Sequence, residues 1–408
     1  MAQPTKRSNF RAAFAPCLLT IIVALVATPA LAQEAVTIGF TASKTGALSE
    51  PSLAQVRGFE LWRDEVNAAG GIKAGARRIK VEFKSHDDES QVVRVQELYG
   101  RLIAQDKAQF LFGPVSSGLN AMAAFVSEEN GKVMLSTAVD AKLFRLGNRN
   151  LFQVTTPASR SFAGALAVVK ARNPKARIAL VTKDDPFTRT VAQATLDLAK
   201  SEGLTVVLDE AYSPTATDFG RIVDRIRSSH ADAVLGGGHL ADGAALLRAL
   251  REMKPAINWL TLLAPPDATA FADLGDAALG LTAPAQWSPQ VVYKPDIGPT
   301  AQVFVRRFTV KFKAAPNEQA AAGYASGLIL AHAIEKAGTA EPGRVAAELN
   351  RIDLTTMFGR ARFAIEAKEH GLQAGHDMVL RQWQKRAGRL GAEVIWPPPA
   401  KTASPLGW

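Results

Sequence analysis

Two stretches of this chain repeat one local pattern, and that repeat limits the folds open to it more than any other feature. The first is Gln109-Phe110-Leu111-Phe112-Gly113-Pro114-Val115-Ser116-Ser117-Gly118-Leu119-Asn120. It reads as a short apolar strand, a tight turn, and small hydroxyl residues opening a helix over 119–126. The second, Ala233-Val234-Leu235-Gly236-Gly237-Gly238-His239-Leu240-Ala241-Asp242, repeats strand, glycine turn and helix. Each copy follows an amphipathic helix and a short polar link, at 98–107 and 222–230. Strands and helices that alternate in this way form parallel sheets with right-handed crossovers. At 408 residues the chain exceeds one typical single-core domain, so two similar α/β half-molecules are expected.

The N-terminus carries an address. Lys6, Arg7 and Arg11 precede an apolar run over 18–26, and Ala30-Leu31-Ala32 supplies small residues at cleavage spacing. This reads as a secretory signal peptide over 1–32, cut after Ala32. A retained anchor is the rival, but the run is short for a bilayer span. Cys17 is the only cysteine and lies inside that run, so the exported chain would hold no disulfide and would depend on its core. The net charge of +10 comes from scattered Lys and Arg, without runs or interleaved aromatics, which argues against nucleic acid.

Read in order, the chain starts a strand at 36–40, then a helix from about Ser52 with Phe59, Trp62 and Val66 on one face. Strands at 79–83, 110–112 and 133–135 alternate with helices up to Gln153, where the pattern restarts. The second half offers a helix over 160–170, a strand over 177–181, a helix from Thr190 and a strand over 205–208. Strands at 258–263 and 280–282 follow its glycine turn. Helices over 300–312 and 320–337 come next, then a hairpin-like pairing of 360–365 with 378–384 and an extended Pro397-Pro398-Pro399 tail.

Backbone N–H groups at a helix start have no intrahelical partner, and the helix dipole adds positive charge there. An anion fits such a spot, with the Ser116 and Ser117 hydroxyls as further donors; ordinary capping by serine is the alternative. Gly236, Gly238 and Ala241 meet a loose dinucleotide fingerprint, but no acidic partner follows. There is no G-x-S-x-G elbow and no cysteine nucleophile, so neither an enzyme nor a cofactor is expected. Asp87-Asp88 and Asp184-Asp185 read as turn and capping residues, and His86 has no partner at metal-ligand spacing.

Several of these pieces together resemble a known family. They are Thr45-Gly46 before a helix ending Asn67-Ala68-Ala69-Gly70-Gly71-Ile72, Asp87-Asp88, Gly113-Pro114-x-Ser116-Ser117, Asp185-Pro186-Phe187, Thr217-Asp218-Phe219 and Gly236-Gly237-Gly238. From about Val36 to Trp396 the chain resembles the type I periplasmic binding proteins of branched-chain and hydrophobic amino-acid ABC transporters. The resemblance implies α/β architecture with two Rossmann-like lobes, their parallel-core sheets flanked by helices and joined by a three-strand hinge. Lobe one would be 36–155 plus 288–368, and lobe two 156–287 plus 369–396, with 397–408 as a tail. It also implies a monomer that closes on a small solute in the periplasm and meets an ABC permease transiently. A ligand sensor on the same fold is the alternative.

The implied site residues are uneven. The carboxylate-binding serine falls on Ser117, with Ser116 beside it. Ala138 and Asp140 occupy the loop that faces the ligand's ammonium, and Phe187 is the aromatic that covers the ligand. His239 stands where a second aromatic is usual, and Trp287 at a crossover either stacks on ligand or packs the hinge. The family's lobe-two acid is replaced by Leu262-Leu263-Ala264-Pro265. Asp140 would then carry the negative charge, its alternative being a helix N-cap.

Overall fold

A computed structural model describes residues 1–5, 34–263 and 273–408. The expected signal peptide beyond its fifth residue, Cys17 included, lies outside them, as do Ala264 and Pro265. The chain divides into two compact units, Met1–Gln33 and Glu34–Trp408.

The first half of the larger unit runs β1 (Ala35–Ala42), α1 (Ser49–Ala68), β2 (Ile72–Ala74), β3 (Arg77–Asp87), α2 (Val92–Ala104), β4 (Phe110–Phe112), α3 (Ser117–Glu129), β5 (Met134–Ser136) and β6 (Leu151–Gln153). Its second half runs α4 (Ala163–Arg172), β7 (Arg177–Lys183), α5 (Pro186–Ser201), β8 (Thr205–Tyr212), α6 (Gly220–Ser229), β9 (Ala233–Gly237), α7 (Leu240–Met253), β10 (Trp259–Leu262) and β11 (Thr282–Ala285). Then come α8 (Ala301–Phe312), α9 (Glu318–Ala337), α10 (Pro342–Leu349), β12 (Asp353–Thr355), β13 (Arg360–Arg362), β14 (Val379–Arg386) and β15 (Arg389–Trp396).

Two sheets result, ordered β2-β3-β1-β4-β5-β6 and β15-β14-β11-β10-β9-β7-β8. The short β2 and the β14–β15 ribbon pair antiparallel; every other ladder in the two sheets is parallel. Without those additions both sheets are wound alike, second-first-third-fourth-fifth in their own chain order. The repeated stretches supply β4 and β9, the third parallel strand of each. Each lies just past the point where the winding reverses, where open α/β sheets bind ligands beyond their carboxyl ends. The parallel strands are buried on both faces, which is why β4, β5 and β9 are apolar runs of small length.

Lobe one packs α1, α8 and α9 on one face of its sheet around Phe59, Trp62, Phe112 and Phe304, and α2 and α3 on the other. Lobe two sets α6 and α7 against one face and α4 and α5 against the other. The expected pairing of 360–365 with 378–384 does not form. Segment 360–362 turns back on β12, while β14 is claimed by β11 and β15. The segment after Trp396 is not extended either. It turns at 398–400, buries Ala400 and returns along lobe two, where the Trp408 N–H donates to the Asn258 carbonyl.

The three lobe-crossing segments, 154–162, 286–300 and 363–378, meet at Thr156. Its backbone N–H and carbonyl pair with the Gln286 side-chain amide, both at 2.9 Å. Its hydroxyl lies 2.5 Å from His376 Nδ1. His376 Nε2 faces the Phe358 carbonyl at 2.9 Å, an acceptor only, so Nε2 carries the hydrogen and Nδ1 accepts from Thr156. The ring stacks on Phe358 at 4.6 Å. Burial pushes the imidazole pKa down to about 4.

That depression has a sign. Between the unfolded value of 6.5 and about 4 the unfolded chain binds the proton and the native hinge does not. Stability is therefore complete above the unfolded value and falls as pH drops across that window. At 1.36 kcal/mol per unit the loss approaches about 3 kcal/mol. Asp377, raised by burial, opposes it at the acid end. The difference between wild type and His376→Gln isolates the histidine. Chemical denaturation at pH 7 and pH 4.5 is expected to show the wild type losing about 2 kcal/mol more than the variant.

Candidate functional site

The site is built from the two strand-to-helix turns. Gly113 ends β4 against Asn120, whose Oδ1 would lie 2.1 Å from a Cβ there. Asn120 is fully buried and its amide donates to the Pro114 and Ser116 carbonyls. Ser116 takes a left-handed φ of 79° and caps α3 by accepting from Leu119 N–H at 3.3 Å. Ser117 opens the helix, and its hydroxyl accepts from the Val139 and Asp140 N–H groups at 3.3 and 3.2 Å. The hydroxyl hydrogen is left to donate outward.

Ser116 and Ser117 line a chamber of about 160 Å³ with Gln55, Thr137, Thr155 and, from the first turn of α9, Glu318 and Gln319. It adjoins a larger, mostly apolar cavity of about 860 Å³, with Val139, Gln286, Glu318 and Gln319 common to both. Phe187, His239, Leu240 and Leu263 form the lobe-two wall of that cavity, and Trp287, Pro316 and Asn317 part of the opposite one. Among the described residues no group of three His, Cys, Asp or Glu side chains converges as a metal would require.

Five of the seven expected residues border these cavities: Ser116, Ser117, Phe187, His239 and Trp287. Helix α5 starts at Pro186, four residues before the expected Thr190, because Asp185 and Thr188 form a capping box. Phe187 therefore sits in a first turn, 39% exposed, its ring parallel to His239 at 6.4 Å. His239 Nε2 lies 3.2 Å from Asp185. Burial opposes ionisation of Asp185, but hydrogen bonds from Thr188 and the neighbouring His239 hold it below the usual carboxylate range. Trp287 is buried, donates to the Met357 carbonyl at 3.0 Å and packs edge-on against Phe304 while bordering the larger cavity, which favours the hinge-packing alternative.

Ala138 and Asp140 line neither cavity. The Ala138 carbonyl already accepts from Gln153 at 2.7 Å and Thr155 at 3.0 Å. The Asp140 carboxylate accepts from Lys142 N–H at 2.9 Å and caps the short helix at Ala141–Arg145. The capping alternative is the one this geometry favours. Asp140→Ala is accordingly expected to lower stability by about 1 kcal/mol while changing ligand affinity less than twofold; calorimetric titration beside thermal melts checks both.

The glycines of the second turn are accounted for by packing. A Cβ on Gly236 would lie 2.1 Å from the Val181 carbonyl oxygen, one on Gly238 2.6 Å from Lys183 Cβ, and Gly237 has φ of 81°. They let β9 approach β7. Gln55, Thr137, Thr155, Gln286, Glu318 and Gln319 went unread in the sequence. Only Glu318 carried a signal, an acidic residue directly after the Asn317 cap of a long helix.

Two similarly wound lobes, three crossovers and a cleft between facing helix starts define a hinged solute-binding protein. A family model described as periplasmic binding protein matches residues 35–389, and the chain belongs to that family; its function is that of a substrate-binding protein. It is 27% identical over 385 residues to the Leu/Ile/Val-binding protein BraC3 of Rhizobium johnstonii, covering 92% of this chain and 98% of that one. It is similar to the substrate binding protein LivJ of Streptococcus pneumoniae in complex with isoleucine: TM-score 0.64, 21% identity, 89% of this chain and all of that one. A solute binding protein of R. palustris in complex with benzoate gives TM-score 0.62, 20% identity, and covers 91% and 99%. No helix among the described residues is long and apolar enough to cross a membrane.

Proposed function

We propose that this chain is the binding component of an ABC importer. It captures an amino acid, an amide or a small carboxylate in the periplasm, as a monomer freed of its signal peptide, and passes it to a membrane permease. The observation that carries this reading is the facing of two helix starts across one cleft, Ser116-Ser117 on lobe one and Phe187 with His239 on lobe two. A solute seated against the α3 start gains from closure only through contacts that lobe two adds. Relatives that bind Leu, Ile and Val, and one that holds benzoate, support the range of solutes.

A thermal-shift screen of the exported chain against those three classes tests it. A ligand at a hundred times its dissociation constant adds about 2.7 kcal/mol, and stabilisation by at least one compound is the expected result. Failure of every compound in all three classes overturns the ligand reading. Phe187→Ala is expected to weaken the hit about tenfold, the roughly 1.4 kcal/mol an aromatic contact gives beyond its area. The empty protein should melt as before, since the ring is over a third exposed; titration calorimetry and melts read the two quantities.

A further inference from the structure

Resting on that solute-binding role, we infer that Gln55 is a positioning residue of the cleft, acting through Thr137, and that the solute it selects carries a hydrogen-bond donor on its polar head. The small chamber is bordered by polar side chains, and the bonds they make within the protein fix what each has left for a solute. A hydroxyl owns one hydrogen. Once it has given that hydrogen away, it can only accept.

The constraint starts at a carbonyl. Gln55, buried on α1, lies against the Gly113 carbonyl at the end of β4. That oxygen can only accept, so Nε2 is the amide atom facing it, at 2.8 Å. Oε1 is thereby turned to Thr137 and accepts from its hydroxyl at 2.8 Å. Thr137 borders the chamber, and with its hydrogen spent on Gln55 it presents lone pairs alone. Thr155 repeats the arrangement, its hydroxyl donating to the Ala138 carbonyl at 3.0 Å. Ser117 is the opposite case. It accepts from the Val139 and Asp140 N–H groups, so its hydrogen remains to donate beside the α3 start. The other amides are engaged within the protein, Gln286 with both main-chain groups of Thr156 and Gln319 with Glu318.

The chamber is therefore sorted by polarity. Ser117 and the α3 start give hydrogens, while Thr137 and Thr155 take them. A head with an oxygen and at least one N–H, as in a carboxamide, satisfies both sides. A bare carboxylate meets lone pairs on one of them and gains no bond there. Gln55 is held in this role from behind, because α9 lies against its main chain: a Cβ on Gly323 would be 2.4 Å from the Gln55 carbonyl oxygen.

Titration calorimetry with matched pairs tests the assignment. The pairs are 4-methylpentanamide with 4-methylpentanoate and phenylacetamide with phenylacetate, alike in body and differing in whether the head carries hydrogens. Wild type is expected to bind at least one amide more tightly than its acid. Gln55→Met keeps the length but frees the Thr137 hydroxyl to turn its hydrogen toward the chamber. It should lower the amide-to-acid affinity ratio about tenfold, the size of one net hydrogen bond. A purely structural role would weaken both members alike and leave the ratio where it was. Thr137→Val should lower the ratio as far, Thr137→Ser should restore it, and Gln55→Met should add nothing once Thr137 is valine. Tighter binding of both acids by wild type, or an unchanged ratio in Gln55→Met or Thr137→Val, overturns the inference. So does failure of wild type to bind any of the four, while the solute-binding reading is decided separately by the thermal-shift screen. Should Gln55→Met melt early, Thr137→Val and Thr137→Ser decide.

Discussion

Replacing Gly58 by valine is expected to cost roughly 3 kcal/mol of stability and to weaken solute binding at the same time. Helices α1 and α9 approach backbone to backbone. A Cβ on Gly58 would lie 2.1 Å from the Ala320 carbonyl oxygen, one on Gly323 2.4 Å from the Gln55 carbonyl oxygen, and one on Gly327 2.0 Å from the Trp62 ring. None of these obstacles is the flexible end of a side chain, so the helices must separate. Alanine at Gly58 would recover about 1 kcal/mol through helix propensity and blur the reading; valine brings more volume and less of that gain. The function follows because α1 carries Gln55 and α9 carries Glu318 and Gln319, all on the small chamber. Urea denaturation should show a lower midpoint at unchanged slope, with affinity down several-fold in the still-folded variant. A Gly58→Val protein with the wild-type midpoint would mean that α9 slides along α1 without loss.

The alternation of apolar strands and amphipathic helices was legible because parallel sheets bury both faces of each strand. The repeated glycine turn marked the third strand of each sheet for the same reason. Contacts between segments far apart in sequence were not legible. Nothing local tells that Gly58 lies against Ala320, Gly323 against Gln55 and Gly327 against Trp62, since single glycines in helical stretches read only as weak positions. Segments 360–365 and 378–384 both have strand character, but their pairing is decided by distant strands: β12 takes the first and β11 and β15 the second. Helix α5 starts earlier than its apolar pattern suggests because the Asp185–Thr188 capping box sets its first turn, with Pro186 inside it.

The candidate site was legible on the side nearest the repeat. Ser116 and Ser117 lie within it, and Phe187 and His239 follow strand ends. Asp140 shows why the remainder was harder. A carboxylate two residues before a backbone N–H satisfies that N–H first, and the local bond is made whatever faces the cleft. Glu318 shows the converse. Read locally it is an ordinary first-turn acid, favourable near a helix start; the crossover that brings the Gln286 N–H to its carboxylate is a contact between segments that no local pattern announces.

Asn120→Leu should lower affinity at least thirtyfold, more than the loss expected for Phe187→Ala on the cavity wall. The Asn120 amide group is wholly enclosed, donating to the Pro114 and Ser116 carbonyls and accepting from the Ser136 hydroxyl at 2.7 Å. Ser136 in turn accepts from the Ala138 N–H at 3.1 Å, so one side chain sets both the α3 start and the loop that Ser117 holds. Leucine matches its bulk but leaves the Pro114 carbonyl without its donor and takes one of two partners from the Ser116 carbonyl and from the Ser136 hydroxyl. An orphaned buried carbonyl costs about 1–3 kcal/mol, and with the two weakened groups the expected total is roughly 2–4 kcal/mol. Ser116, at φ of 79°, keeps its left-handed backbone only while those carbonyls are held, so the helix start that receives the solute loses its fixed geometry. Asn120→Asp separates geometry from stability. It keeps the acceptor for Ser136 but sets a carboxylate against two carbonyl oxygens, and should lose affinity to a similar degree. Both are to be titrated well below their melting temperatures. Wild-type affinity in a folded Asn120→Leu protein would show that the α3 start is held by the strand and turn alone.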